Sequence, residues 1–339
     1  MSDLKQKLQD INKLVEPVIN TMLAVDVELK NVDLALYQVQ SGGKRIRPAL
    51  VILSGQLFGG DIKQLVYPAA AVEILHNSTL IIDDIIDHSL SRRDQPTCWN
   101  KYGQSIALCE ALVYVASVYP ELSKVNNGSK IIDLYSRTLK IIIDGEIKDI
   151  LFERSGRDDE KYVVENRYKV ITKADYLEMI GQKTAVLLQA CCQAGAICAG
   201  ASDMQIKIIG EFGFNLGMAF QIRDDILDIF GDEKEFGKKI GKDIIEKKMG
   251  NYVILSAVEK LKSTDKNQIV SILESSTDVS DQDVMIVTAL IQKTDAKKDA
   301  EELSDQYIQT AFDQLEILPQ NQHTNTLIEL TDYIAKRSK

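Results

Sequence analysis

The distribution of proline most constrains what this chain can fold into. The sequence contains six prolines, and the stretch 121–318 contains none. Because proline removes a backbone donor and clashes inside a helix, a long proline-free stretch is typical of consecutive helices. Within it, apolar residues and glycines recur at steps of three and four, as on a buried helix face. One such series is Ile206, Ile209, Gly210, Gly213, Gly217 and Phe220. We therefore predict an all-α fold and, because no low-complexity linker divides the chain, a single domain over residues 1–339.

Charge and cysteine content argue against several classes of protein. The chain has 40 basic and 50 acidic residues, a net charge of −10, whereas nucleic-acid binding needs a basic face. The N-terminal residues are polar and no run of about 18 apolar residues occurs, so we predict a cytoplasmic protein without a membrane span. The five cysteines are odd in number and lack paired spacing. We expect them to be buried thiols rather than zinc ligands or disulfides.

Glycine and polar clusters mark the expected loops. Short breaks are predicted at 41–43, 58–61 and 126–129, and a charged loop at 154–162. Residues 231–250, rich in glycine and lysine, are expected to form a mobile flap. The polar segment 263–282 is expected to lie on the surface.

One pentapeptide, Asp-Asp-x-x-Asp, occurs twice, at 83–87 and at 224–228. Residues three and four apart share a helix face, so each copy presents two or three carboxylates together. A solvated acidic surface is the alternative, but both copies lie in strongly apolar sequence, where unpaired aspartates are costly. Two carboxylate clusters facing one cavity would hold cations, and Mg²⁺ suits carboxylate and phosphate oxygens.

Basic residues accompany both acidic motifs. Arg92 and Arg93 follow the first motif, and the basic loop 42–48 opens a predicted helix, a common phosphate-binding arrangement. Lys183 and Thr184 lie in an apolar helix, where a lysine needs an anionic partner. The flap carries four further lysines, Lys238, Lys242, Lys247 and Lys248. Of these, Lys242 and Lys247 are expected to be solvated surface residues. This distribution indicates two phosphorylated substrates, one bridged by metal ions and one held directly by lysine and arginine.

Taken in order, these motifs resemble the trans-isoprenyl diphosphate synthase family, the polyprenyl synthetases, over residues 40–260. The resemblance implies an all-α isoprenoid synthase fold of about ten core helices around a central cavity, usually as a homodimer. It suggests a medium- or long-chain member. The matching residues are Gly42–Pro48, His76, Asp83–Arg93, Gly145-Glu146, Lys183-Thr184-Ala185, Gly217–Asp228, Gly237-Lys238 and Asp243.

The resemblance also implies a reaction. Isopentenyl diphosphate would condense head-to-tail (1'-4) with an allylic diphosphate that is bound through about three Mg²⁺ ions. Lys183 and Gln221 would act beside the aspartates in catalysis, Gln221 near the developing cation. The metal ligands would be Asp83, Asp84, Asp87, Asp224, Asp225 and Asp228. The phosphates of the allylic substrate would meet Arg92, Lys183 and Lys248, and isopentenyl diphosphate would meet Lys44, Arg47, His76 and Arg93. The other predicted substrate-binding residues are Thr184, Gln221 and Lys238.

Four departures from the family pattern leave a second function open. Asp94 replaces the glycine of Arg-Arg-Gly, Cys109-Glu110 stands where Gly-Asp is usual, and Asp149 replaces a frequent glutamine. The flap sequence 247–252 also differs from the usual Gly-Lys-x-Thr-Leu-Pro. The alternatives are a subunit of a heteromeric prenyl diphosphate synthase with little activity alone, a terpene cyclase, and an unrelated helical scaffold.

Product length can be argued from the helix before the first motif. Ser78 and Thr79, five and four residues before Asp83, are small, whereas short-chain members of the family carry bulky aromatics there. Leu75 and Ala71 follow on the same face one and two turns further down. We therefore expect products longer than C15. A deeper floor is left open, with Ala111, Val115 and Tyr119 as candidates.

Overall fold

The computed structural model describes residues 2–231 and 240–336, and nearly all of the regular structure there is helical. The first half contains α1 (Ser2–Ala24), α2 (Val32–Gln40), α3 (Ile46–Leu57), α4 (Ile62–Ile86), α5 (Cys98–Tyr102), α6 (Gln104–Ser117), α7 (Tyr119–Leu122), α8 (Gly128–Leu151) and α9 (Lys161–Asn166). The second half contains α10 (Lys173–Ile180), α11 (Val186–Ala199), α12 (Asp203–Phe230), α13 (Lys242–Ile245), α14 (Tyr252–Lys260), α15 (Ser263–Leu273), α16 (Asp281–Ile291), α17 (Ala296–Ile317) and α18 (Gln322–Ala335). A 3₁₀ turn covers Leu29–Asn31 and a π-helical turn covers Gly181–Ala185.

The all-α prediction is confirmed. Two short strands, β1 (Ser91–Arg92) and β2 (Gln95–Pro96), pair antiparallel with Ser91 opposite Pro96. The turn between them places both Arg93 (φ 54°) and Asp94 (φ 61°) in the left-handed region. Aspartate tolerates the left-handed conformation better than most residues, so Asp94 can form this turn at the position where the family has glycine.

Residue contacts divide the chain into two compact units, described here separately. The first consists of 1–139, 188–213 and 314–330. In it, α4 packs against α1, α3 and α6. Its fully buried residues Ala69, Ala70 and Ala71 have small side chains, which allow neighbouring helices to pack closely. This helix ends at the first aspartate motif.

The second unit consists of 140–187, 214–313 and 331–339. Its core gathers apolar residues from α10, α12, α14 and α16, including Tyr176, Ile222, Val253 and Val287. The second half of α12 crosses this core and carries the second aspartate motif. The prediction of a single domain is not tested by this division and stays a prediction.

The polar segment 263–282 lies largely at the surface, as expected, but it contains the helix α15 rather than only a loop. Ile269 and Leu273, four residues apart, are fully buried on one side of that helix. The expected flap 231–250 is described from 240 onward, where α13 lies; Gly237 and Lys238 lie outside the described residues. All five cysteines are free, and the expectation of buried thiols is wrong for Cys109, which is exposed on α6.

Two helical segments within the described residues are long and apolar enough to cross a membrane by length and composition alone. The first, Ile62–Ile86, has 78% of its apolar window buried inside the protein, as a core helix has. The second, Gln104–Leu122, has 33% of its window buried. The absence of a membrane span therefore stays a prediction.

Candidate active site

The first aspartate motif lies at the C-terminal end of α4. Asp84 is almost fully buried, and both of its carboxylate oxygens accept hydrogen bonds from Nε of Arg92, at 2.9 and 3.0 Å. Burial by itself lowers the pKa of Arg92, but its hydrogen bond to Asp84 and the acidic charge nearby outweigh this and raise the pKa. The first motif and Arg92 thus lie in direct contact. Asp87 caps the helix, donating its N–H to the Asp83 carbonyl.

The basic loop before α3 is fixed by a buried ion pair. Arg45, in the left-handed conformation (φ 50°), directs Nη1 to Oε1 of Glu73 on α4 at 2.6 Å. Its Nη2 donates to the Val39 carbonyl at 2.5 Å, at the end of α2. Asn77 donates to the same glutamate at 3.2 Å. Arg45 therefore ties the loop to two helices, and Lys44 and Arg47 flank this anchor in sequence.

His76 lies on α4 one turn after Glu73, within the positive field of this loop. Desolvation lowers the pKa of His76 well below its ordinary value, and the charges of Arg47 and Arg93 lower it further. The imidazole is therefore neutral at physiological pH. Arg93 donates to the Gly42 carbonyl, and a Cβ on Gly43 would lie 3.1 Å from its guanidinium. Close packing of Arg93 on the loop is thus one reason for glycine at 43.

The residues predicted to control product length lie along α4. Ala71, Leu75 and Ser78 are buried, whereas Thr79 is half-buried. Both hydroxyls bond back to the helix: Ser78 Oγ donates to the Leu75 carbonyl at 2.7 Å and Thr79 Oγ1 to the His76 carbonyl at 2.8 Å. Thr79 is therefore the least buried member of this set. Of the deeper candidates, Ala111 is buried and Tyr119 is exposed.

In the second unit, the middle aspartate of the motif is fully engaged by protein donors. One oxygen of Asp225 accepts from the Tyr176 hydroxyl at 2.7 Å and from the Tyr252 N–H at 2.9 Å. The other accepts from Nε2 of Gln221 at 3.1 Å. Burial and the neighbouring charge of Asp243 nevertheless raise the pKa of Asp225 well above its ordinary value. Proline, which the family pattern places at 252, could not supply this N–H.

Asp228 binds the backbone of the segment that follows. Its carboxylate accepts from the N–H groups of Lys242 at 3.0 Å and Asp243 at 3.2 Å. Burial, with the charge of Asp243, raises the pKa of Asp228 to about 8. Asn251 donates to Asp243 at 2.8 Å and also caps α14 by accepting from Val253 N. The altered flap residue Asn251 therefore connects the acidic cluster to the next helix.

Lys183 and Thr184 lie on the π-helical turn, an element that often marks functional sites. Two glycines allow neighbouring helices to approach it: a Cβ on Gly145 would lie 2.5 Å from the Lys183 nitrogen, and one on Gly217 would lie 2.5 Å from the Ala185 Cα. Thr184 Oγ1 donates to Oε1 of Gln221 at 2.9 Å. The second unit therefore joins Thr184, Gln221 and Asp225 in one hydrogen-bonded chain.

The three flap lysines among the described residues differ in their surroundings. Lys248 is buried and approaches Asp149 and Glu246. Lys242 pairs with Glu246 at 2.9 Å and is partly exposed, in line with its expected surface role. Lys247 instead reaches the Ser275 carbonyl at 2.7 Å. Lys238, which is predicted to bind substrate, lies outside the described residues.

Three residues of these sites escaped sequence reasoning: Glu73, Tyr176 and Asn251. Glu73 precedes His76 by three positions, so helix spacing could have placed it on the same side of α4. Tyr176 gives no such signal, since its partner Asp225 is distant in sequence. Asn251 was visible only as part of an unusual flap sequence.

The predicted metal ligands are all carboxylates. Within residues 2–231 and 240–336, no group of three or more His, Cys, Asp or Glu side chains is arranged to hold a metal ion. Magnesium commonly takes only one or two carboxylates and completes its shell with water and substrate phosphates. The donor chemistry therefore fits ions held jointly by aspartate and diphosphate oxygens.

The chain is similar to known proteins over most of its length. The family model "Polyprenyl synthetase" matches residues 31–326. A geranylgeranyl diphosphate synthase of Sulfolobus acidocaldarius is 33% identical over 321 residues, covering 93% of this chain and 92% of that protein. Heptaprenyl diphosphate synthase component 2 of Bacillus subtilis is 32% identical over 342 residues, covering 99% and 92%. The crystal structure of the polyprenyl synthase from Caulobacter crescentus, complexed with calcium and isoprenyl diphosphate, has a TM-score of 0.87 at 26% identity and covers 99% of this chain and 97% of that one.

The helical fold and the site residues define a trans-prenyltransferase with the isoprenoid synthase fold. The chain belongs to the polyprenyl synthetase family, and the resemblance inferred from its motifs is confirmed.

Proposed function

We propose that this protein condenses isopentenyl diphosphate head-to-tail (1'-4) with an allylic diphosphate, in a Mg²⁺-dependent reaction, to give an all-trans polyprenyl diphosphate longer than C15. The observation that carries the proposal is the pair of aspartate motifs, each near the C-terminal end of a helix, with Arg92 ion-paired to Asp84 of the first motif. Relatives named as geranylgeranyl and heptaprenyl synthases support the reaction class.

The proposed Mg²⁺ ions, about three in number, are held by Asp83, Asp84, Asp87, Asp224, Asp225 and Asp228 together with diphosphate oxygens. Bound there, they neutralise the charge that develops on the leaving diphosphate. Asp84, Asp225 and Asp228 already accept protein hydrogen bonds, so they also fix the positions of their motifs. The proposal therefore assigns these three a double role, as ligands and as anchors.

The basic residues divide between the two substrates. Lys44, Arg47, neutral His76 and Arg93 bind isopentenyl diphosphate, with His76 contributing a hydrogen bond rather than a charge. Arg92, Lys183 and Lys248 bind the allylic diphosphate, and Lys238 is proposed to join them. Gln221, held between Thr184 and Asp225, directs its amide dipole toward the developing allylic cation.

We further propose that the protein is a cytoplasmic homodimer, without a nucleic-acid partner or a membrane span. Support for self-association comes from α6, which exposes a run of large apolar side chains. Ile106 and Leu108 are exposed there, and Leu112 is 71% exposed. A patch of this kind marks an association surface more often than a solvated one.

A second candidate is a non-catalytic or regulatory subunit of a heteromeric prenyl diphosphate synthase, with little activity alone. One relative is named as component 2 of a heptaprenyl diphosphate synthase, which favours this alternative. The exposed face of α6, which carries Cys109, would serve a different partner equally well.

The decisive experiment uses the purified chain alone. It is incubated with Mg²⁺, labelled isopentenyl diphosphate and, separately, dimethylallyl, geranyl, farnesyl and geranylgeranyl diphosphates, and products are dephosphorylated and sized. A ladder ending beyond C15, lost in EDTA and in Asp83→Asn and Asp224→Asn, is expected. Asp133→Asn, an exposed aspartate on α8, is the matched control. A C15 end product would contradict the length proposal, and no product from any primer would favour the heteromeric alternative.

A further inference from the structure

Two carboxylates hold the ammonium group of Lys183. Glu146 and Asp149 lie one turn apart on α8, and each approaches Lys183 Nζ to 2.6 Å. The close approach of α8 at Gly145 fixes this geometry, because a side chain at that glycine would collide with the π-helical turn. Lys183 therefore has a defined position rather than the freedom usual for a long flexible side chain.

Asp149 also meets a second lysine. The same oxygen, Oδ2, lies 2.6 Å from Lys183 Nζ and 3.4 Å from Lys248 Nζ. The side chains of Asp149 and Lys248 are only 8% and 9% exposed, and Lys248 has a further partner in Glu246 at 3.1 Å. One carboxylate oxygen thus holds two ammonium groups where water competes little.

The energetics favour this arrangement only with an anion between the lysines. Two ammonium groups repel each other, and the repulsion grows as the surroundings become less polar. Burial alone raises the pKa of Asp149, yet the charges of Lys183 and Lys248 outweigh it and hold the pKa below the ordinary range. Asp149 therefore stays ionised and offsets this repulsion.

We propose that Asp149 is a positioning residue that holds Lys183 and Lys248 side by side, so that both ammonium groups bind the diphosphate of the allylic substrate. The inference deepens the proposed function and rests on it. Members of the family often have glutamine at this position. A glutamine amide would offer the lysines an oxygen without the full negative charge of Asp149. Prior placement of both cations lowers the cost of ordering them when substrate binds.

Two other roles for Asp149, competition with the substrate and stabilisation of the fold, predict different results from the positioning role. If Asp149 merely competed with the substrate for the two lysines, its removal would strengthen diphosphate binding. If it only stabilised the fold, its removal would lower stability without a selective effect on one substrate. Substrate-specific kinetics and a double-mutant cycle separate the three cases.

The test begins with Asp149→Asn, which keeps the shape and removes the charge. The KM for the allylic diphosphate is expected to rise about tenfold, while that for isopentenyl diphosphate changes by no more than about twofold. Glu146→Gln, which removes an anion from Lys183 alone, is the matched control with a smaller effect. An unchanged or lower allylic KM, or equal changes for both substrates, would overturn the inference. Should Asp149→Asn fail to fold, Asp149→Gln takes its place.

Calorimetry with inorganic pyrophosphate and Mg²⁺ provides a readout that needs no turnover. Asp149→Asn is expected to weaken pyrophosphate binding about five- to tenfold in the wild-type background, but only about twofold once Lys183 is replaced by methionine. Equal losses in both backgrounds would show that Asp149 does not act through Lys183. A wild-type chain that binds no pyrophosphate would refute the proposed function itself, whereas normal wild-type binding with an unaffected variant would refute this inference alone.

Discussion

Arg45 and Glu73 form a buried ion pair, with 2.6 Å between Nη1 and Oε1 and both side chains no more than 5% exposed. The pair connects the basic loop before α3 to α4, one turn before His76. A buried pair of this kind adds little to stability relative to apolar packing, but the loss of one partner leaves a buried charge uncompensated. The basic loop therefore depends on both residues.

Replacement of Glu73 by glutamine should leave the buried Arg45 without its counter-charge. We expect the free energy of unfolding to fall by about 3 kcal/mol, measured by urea denaturation. The KM for isopentenyl diphosphate should also rise, because Lys44 and Arg47 flank the loosened anchor. Glu121→Gln, which breaks the exposed pair with Lys124, is the control and should cost less than about 0.5 kcal/mol. Equal losses in the two variants would contradict the prediction.

Removal of the Tyr176 hydroxyl should expose the cost of burying Asp225. Tyr176→Phe takes away the 2.7 Å hydrogen bond to that carboxylate, so the urea midpoint should shift by the equivalent of about 1–3 kcal/mol. Tyr162→Phe, on an exposed tyrosine, provides the baseline. Indistinguishable midpoints would show that Asp225 does not need this donor.

The sequence predicts the helical class and the chemical groups well because both follow from local rules. A proline-free stretch, helix spacing and the repeated aspartate motif are all readable within a few turns. The structure confirms the helices and brings Asp84 to Arg92 and Gln221 to Thr184.

What sequence could not predict are the contacts made at long range. Glu73 finds Arg45 across 28 positions, and Tyr176 finds Asp225 across 49. Asp149 looked like a departure from a family pattern, whereas its position next to Lys183 depends on how α8 packs on the π-helical turn. Partners of this kind are decided by tertiary packing, which no periodicity within one helix encodes.

Bulk at Thr79 should shorten the product. Thr79 is half-buried, so phenylalanine can be accommodated there at less strain than at the fully packed Ser78. With Thr79→Phe the product ladder should end earlier than in the wild type, as sized by chromatography. Thr79→Val, which removes the hydroxyl bonded to His76 and keeps the volume, should leave the end point unchanged. An unaltered ladder in Thr79→Phe would place the floor elsewhere.

A charge on the exposed face of α6 should disrupt self-association. Leu112→Lys is expected to shift the protein from dimer to monomer in sedimentation, because a lysine buried at an apolar contact must be desolvated. Leu29→Lys, at a leucine that is 91% exposed outside this helix, is the control. A dimer that survives Leu112→Lys would show that the contact does not use this face.

Glu110 should make stability depend on pH. It is buried on α6, its Oε1 has no hydrogen-bond partner among the described residues, and burial raises its pKa from 4.5 to about 7. Below pH 4.5 the folded and unfolded states both bind the proton. As the pH rises through 4.5 to 7, the unfolded state releases it first, so stability falls across this window and stays low above it.

The measurement compares the wild type with Glu110→Gln, whose neutral amide resembles the protonated acid. Between pH 5 and 8 the wild type should lose about 1–2 kcal/mol more of its unfolding free energy than the variant, measured by urea denaturation in EDTA. The glutamine variant should therefore be the more stable protein at pH 8 and nearly equal to the wild type at pH 5. Parallel pH curves would mean that the Glu110 carboxyl ionises in the folded protein as easily as in water, and that its burial carries no electrostatic cost.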